Sequence, residues 1–294
     1  MKIFVSILSY GIKQNNHLIT ILNEYDKISS SNNYKIDIEI ISNIISELPV
    51  YKNIKIRFNI HQQQIIGDLG YIHRNSMNNL KDKYDLFIYT ENDILITEKN
   101  INHYLKISSK LPDNYITGFL RVEISNDKKY VLIDHNMYYF PTYKKRITIN
   151  NELYVQLNCL HQGCWILTQK QLHKALNSGN FFQTIHNVKN DTWLGYLESA
   201  ASDIYSICGF EPKIYPMDIF DLFIIHLPNK YMNNNNNNII GKRKFYIIDF
   251  IHYMNHKLKT NQIISYRLRY LFSIIKSIIR RKILKKSNGN IKLK

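Results

Sequence analysis

Two carboxylates one residue apart, Glu91 and Asp93, follow an unbroken apolar and aromatic run, Leu86-Phe87-Ile88-Tyr89. Oxygen ligands of this kind suit a hard divalent cation, and Mg²⁺ or Mn²⁺ held there can bridge the phosphates of a diphosphate and stabilise its departure. The triplet Glu91-Asn92-Asp93 by itself also suits a surface turn or a helix start. Its place directly after a run that reads as a strand covered on both faces favours the chemical reading. Open α/β sheets bind ligands beyond the carboxyl ends of their strands. The first apolar run, residues 3–9, ends in Tyr10-Gly11, so these two residues are expected on the same edge as the acids.

Later segments carry further candidates. In His161-Gln162-Gly163-Cys164-Trp165, Gly163 permits a close approach of backbones and Trp165 suits a core. Glu198 and Asp203 fall on a helical stretch, where an acid is ordinarily a surface residue. His226 and Lys230 come just after the apolar run Phe223-Ile224-Ile225, a setting in which a lone histidine is usually a hydrogen-bonded structural residue.

Taken together these segments resemble the glycosyltransferases of GT-A fold. His73-Arg74-Asn75, then a helix-length gap, then Tyr84-Asp85 and the strand that ends in Glu91-Asn92-Asp93-Ile94, is similar to the stretch in which an Arg-Asn helix start precedes the strand bearing an acid-x-acid motif. The resemblance implies a nucleotide-sugar donor, with UDP the commonest nucleotide, and Mn²⁺ or Mg²⁺ as cofactor. Asp93 then holds the metal, Glu91 faces the donor ribose or a metal-bound water, and Arg74 supports the nucleotide. Glu91 at the first acid and Asn92 in the middle depart from the family pattern. Gly163 and Trp165 correspond to the segment lining the sugar and acceptor pocket. Glu198 corresponds to the base that deprotonates the acceptor hydroxyl in inverting members, with Asp203 and Asp191 in reserve. His226 completes the metal site and Lys230 contacts the diphosphate. The acceptor is a glycan, a lipid or a protein, and the resemblance spans most of residues 1–231.

These groups need a scaffold, and the first half of the chain supplies an alternation of β-type apolar runs with helical segments. That pattern predicts an α/β, Rossmann-like, mostly parallel sheet flanked by helices. Strands are expected at 3–9, 36–42, 54–60 and 86–89, and helices around 17–25 and 71–83. Residues 115–125 and 130–134 read as a hairpin, which makes the sheet mixed. A strand at 164–167 leads into a helix at 169–176, and 192–208 reads as one further helix.

Three cysteines without CxxC spacing argue against both a disulfide framework and a cysteine-built zinc site. The apolar start lacks the basic flank and cleavage site of a signal peptide. No stretch of about 20 residues is free of charge. The expected location is therefore the cytoplasm. Residues 233–238 are six consecutive asparagines, expected to link a catalytic domain, 1–232, to a tail, 239–294. That tail has 15 lysines and arginines against the single acid Asp249, so it carries +14 of the chain's +16. Ile264, Leu268, Leu271, Ile275 and Ile279 recur in it at helical spacing, as in an amphipathic helix lying on an anionic membrane surface. A solvated tail is the plainer reading. Nucleic acid is the least favoured partner, because no nucleic-acid motif accompanies the charge. Two rivals remain: a metal-dependent nuclease or nucleotidyltransferase using the same acids, and a membrane-surface scaffold with an inactive glycosyltransferase-like domain. A nuclease calls for basic residues around the acids, whereas residues 1–238 carry only +2.

Overall fold

The structure, a computed structural model, describes residues 1–62, 66–124, 130–133, 145–156, 161–188, 195–211, 213–216 and 220–230. Asp191, the asparagine run and the basic tail lie outside the described residues.

Strand β1 (Lys2–Ser9) is buried at every position after the first, as expected of a run apolar enough to be covered on both faces. Helix α1 (Asn15–Ser30) buries Leu18, Ile21, Leu22, Tyr25 and Ile28 at three- and four-residue spacing. Strands β2 (Lys35–Ser42) and β3 (Lys55–Ile60) continue the sheet. Helix α2 (Ile66–Leu80) follows, then β4 (Leu86–Glu91), the two-residue β5 (Ile94–Leu95) and helix α3 (Glu98–Ser108). Thr97 and Asn100 close a reciprocal capping box at the start of α3.

Beyond α3 come β6 (Leu120–Ile124), β7 (Tyr130–Leu132), β8 (Lys145–Ile149), β9 (Glu152–Gln156) and β10 (Cys164–Thr168). Helix α4 (Gln169–Asn177) and the short helices α5 (Ile185–Val188), α6 (Tyr196–Ala200) and α7 (Ile204–Ile207) precede β11 (Ile214–Pro216), a 3₁₀ turn at Phe220–Leu222 and β12 (Phe223–His226).

The architecture is α/β. A five-stranded sheet runs in the order β10-β4-β1-β2-β3, with β1 to β4 parallel and β10 antiparallel to β4. The chain progresses from β1 outward to β3 and then returns to the other side of β1 for β4. The order therefore reverses between β1 and β4, and the crevice at their carboxyl ends is the switch point at which such sheets take ligands. A four-stranded sheet, β5-β12-β6-β7, and a three-stranded sheet, β11-β9-β8, flank the main one. One core joins α1, the main sheet, Ile101 and Tyr104 of α3, and Leu120, Val122 and Ile224 of the second sheet. A second core lies on the α2 and α4 face.

Two local expectations are corrected. The helix expected at 71–83 begins five residues earlier, so His73-Arg74-Asn75 lies inside α2 and not at its start. The single helix expected at 192–208 is two short ones, α6 and α7, separated by a turn at 201–203; residues 192–194 fall outside the described residues. Serines account for the break. The Ser199 hydroxyl donates to the Gly195 carbonyl at 2.8 Å and that of Ser202 to the Glu198 carbonyl at 2.8 Å, competing with the helical ladder. Among the described residues no helix is long and apolar enough to cross a membrane.

Candidate functional site

Strand β4 delivers the acid motif to the carboxyl edge, and Gly163 fixes its end. The Glu91 amide donates to the Gly163 carbonyl at 3.0 Å. Gly163 has φ +67°, and a Cβ there would come within 2.9 Å of Ile94 Cγ1 and 3.5 Å of Glu91 Oε2. Only glycine allows both the left-handed backbone and the close approach. Asn92 reaches back to β1, its amide donating to Ser9 Oγ at 2.9 Å. On the same edge, Tyr10 is 43% exposed. Gly11, at φ +66°, donates its amide to Asn43 Oδ1 at 2.9 Å, tying the loops after β1 and β2 together.

Asp93 lies between β4 and β5, and the second sheet completes its surroundings. Strand β12 pairs antiparallel with β5 on one side and parallel with β6 on the other. It is continued by a bond from the Leu227 amide to the Asp93 carbonyl at 2.8 Å. The consequence is a row of three side chains: Asp93 Oδ2 is 3.4 Å from His226 Nε2, and His226 Nδ1 is 2.6 Å from Glu123 Oε1. Glu123 and His226 are fully covered, and the Asp93 side chain is 10% exposed. Asn229, in the left-handed conformation at φ +51°, grips both backbone polar groups of Ile124 through its side-chain amide at 2.8 and 3.2 Å, pinning the turn after β12 to the end of β6.

Electrostatics favour the charged forms of Asp93 and His226. Burial alone raises the Asp93 carboxyl, but the hydrogen bond and charge of His226, together with Arg121 and Lys230, bring it below the usual carboxylate range. Burial lowers His226, yet bonding to Asp93 and Glu123 and the Asp93 charge carry the imidazole above its ordinary value, against opposition from Arg121.

These residues fit a divalent cation at Asp93 and His226 once Nε2 gives up its proton, since an imidazole binds a metal ion in its neutral form. The buried Asp93 Oδ1 has no hydrogen-bond partner among the described residues. A carboxylate oxygen and an imidazole nitrogen at 3.4 Å are a compatible donor pair. Among the described residues no group of three or more His, Cys, Asp or Glu side chains forms a full cage. An ion held by Asp93 and His226 alone would take its remaining ligands from phosphate and water.

The other candidates fall elsewhere. Arg74 is 1% exposed, and its guanidinium donates to the Phe181 and Gln183 carbonyls at 2.7 Å each and to Asp203 Oδ2 at 3.3 Å. The Tyr71 hydroxyl also donates to Asp203 Oδ2, at 3.0 Å. Burial pushes the Asp203 carboxyl up, opposed by Arg74 and Tyr71. These contacts give the pair the structural task of joining α2 to the α5 and α7 segments. Trp165 is fully buried, with its ring centroid 5.3 Å from that of His73 and 5.9 Å from that of Tyr89. Glu198 is exposed in the first turn of α6, its carboxylate folded toward Gly195, where a Cβ would meet Glu198 Oε2 at 2.2 Å. Lys230 is exposed.

Arg121 and Glu123 are the residues missed from sequence. The available signal was their alternation with Leu120 and Val122, two charges inside an otherwise apolar strand. No protein-family model matches the chain, and no curated protein matches it.

Proposed function

We propose that the protein is a glycosyltransferase of GT-A type, moving a sugar from a nucleotide-sugar donor to a glycan, lipid or protein acceptor with help from Mn²⁺ or Mg²⁺. One observation carries the reading: Asp93, with an unpartnered carboxylate oxygen, and His226 stand side by side at the carboxyl edge where the strand order reverses.

In this reading Asp93 and His226 hold the cation. When bound, the cation supplies Lewis-acid stabilisation to the departing nucleoside diphosphate. Arg121 and Lys230, whose charges act on Asp93, orient the phosphates. Tyr10 and Gly11, on the loop tied by Asn43, bound the nucleotide. Glu198, exposed and free of a salt bridge among the described residues, takes the proton from the attacking acceptor hydroxyl in an inverting transfer. Gly163 shapes the edge beside Glu91, while Trp165 supports it from within. The basic tail, 239–294, brings the enzyme to an anionic membrane surface.

A thermal-shift screen against UDP-, GDP-, CMP- and dTDP-sugars, each with Mn²⁺ and with EDTA, tests the reading. A ligand that binds only the native state raises its apparent stability. A manganese-dependent rise for one nucleotide is the expected result. No rise with any of them, in folded protein, would remove the donor site.

A further inference from the structure

Glu123 is a carboxylate at a place where an apolar side chain is the cheaper solution. It is fully buried on β6, next in the chain to Val122 of the main core, and burying a charge costs several kcal/mol unless a partner offsets it. Its hydrogen bond to His226 Nδ1, at 2.6 Å, is short for a nitrogen donor and links residues 103 apart in the chain.

We infer that Glu123 is the positioning residue of His226, holding the imidazole by Nδ1 so that Nε2 is turned toward Asp93 and the cation. This rests on the reading that Asp93 and His226 face a cation. Both ring nitrogens meet carboxylate oxygens in the observed orientation, whereas a flipped ring would set carbon atoms against Glu123 and Asp93. Backbone restraint comes from the next residue, since the Asn229 amide grips Ile124 through its N–H and its carbonyl. Strand and ring are thus fixed relative to each other before any ligand arrives. A histidine ligand whose second nitrogen donates to a carboxylate is oriented and made more basic, and loss of such a partner typically weakens metal binding by about 10–100-fold.

Mn²⁺ binding followed by electron paramagnetic resonance, with Mn²⁺ alone and with inorganic pyrophosphate, separates the possibilities. The wild type, His226→Ala, Glu123→Gln and Glu123→Ala are compared, each with its thermal midpoint. Glu123→Ala is expected to bind Mn²⁺ about 10–100-fold more weakly, with Glu123→Gln between it and the wild type because the amide oxygen still accepts from Nδ1. A purely structural role would lower the midpoint and leave the affinity of the folded protein unchanged. Wild-type affinity in both folded Glu123 variants would overturn the inference while leaving the cation site standing. Absence of Mn²⁺ binding by the wild type, even with pyrophosphate, would overturn the cation reading and this inference with it. Should the variants not fold, ¹⁵N-histidine NMR of the wild type decides the matter. Protonated Nδ1 throughout, with a Zn²⁺-dependent shift confined to Nε2, supports the inference, and a Zn²⁺-dependent shift at Nδ1 overturns it.

Discussion

Arg74 with Asp203 and Asp93 with His226 and Glu123 both take charge out of water, yet the two clusters are finished differently. Around Arg74 the guanidinium is divided among two carbonyls and one carboxylate, and the side chains of the pair are 1% and 0% exposed. The second cluster reaches the surface: Asp93 keeps 10% of its side chain in solvent, and Lys230 beside it is exposed. A buried ion pair is therefore no mark of a site by itself, since it serves equally to join segments. Each cluster leaves one carboxylate oxygen without a hydrogen-bond partner among the described residues, Oδ1 of Asp203 and Oδ1 of Asp93, so what distinguishes the second is its partial opening to solvent at the carboxyl edge where the strand order reverses.

Substitutions can break that contrast. The largest effect is expected from Asp93→Asn, which lowers metal-dependent turnover of the nucleotide-sugar by about a thousandfold or more, several kcal/mol of charge stabilisation. Its circular dichroism spectrum should stay that of the wild type, and normal turnover would discard the site. Asp203→Ala is the converse. It leaves the Arg74 charge buried and unpaired, so urea unfolding should register a loss of about 3–5 kcal/mol while kcat of the folded protein stays near wild type. If kcat fell and stability held, the two clusters would have to exchange roles. Glu198→Gln should reduce kcat by about a hundredfold or more with little change in urea midpoint. Gly163→Ala strains a positive φ and presses on Ile94, and should cost about 1–3 kcal/mol in the same unfolding measurement. The smallest effect belongs to Lys230→Ala: an exposed charge, whose loss should raise KM for the donor by about tenfold or less and leave kcat nearly unchanged.

The main sheet was legible in sequence because its signals are local. Strands β1, β2 and β4 are runs covered on both faces, and their ends point directly at Tyr10 and Asp93. Helix α3 was passed over despite its signature of Thr97 and Asn100 before Ile101, Tyr104 and Ile107. Glu123 was harder to find, because its role depends on β12 entering between β5 and β6, and no local pattern announces a pairing across 103 residues. Arg74 shows the opposite difficulty. Its neighbours in sequence suit a ligand edge, but its place within α2 and its distant partners, Phe181, Gln183 and Asp203, decide its surroundings.

The insertion of β12 also has a consequence for the order of assembly. The pairings of β1 with β2 and of β2 with β3 close 33 and 18 residues of chain and that of β1 with β4 closes 83, whereas β12 closes 103 to reach β6. Long closures are entropically costly until other structure shortens them, so β12 is expected to dock after β1, β2 and β3 have paired. In native-state hydrogen exchange its amides should then open at lower free energy than those of β1, and equal protection would show that both strands belong to one cooperative unit. The Asp93–His226 pair would accordingly be among the last parts of the fold to come into being, and among the first to vanish under stress.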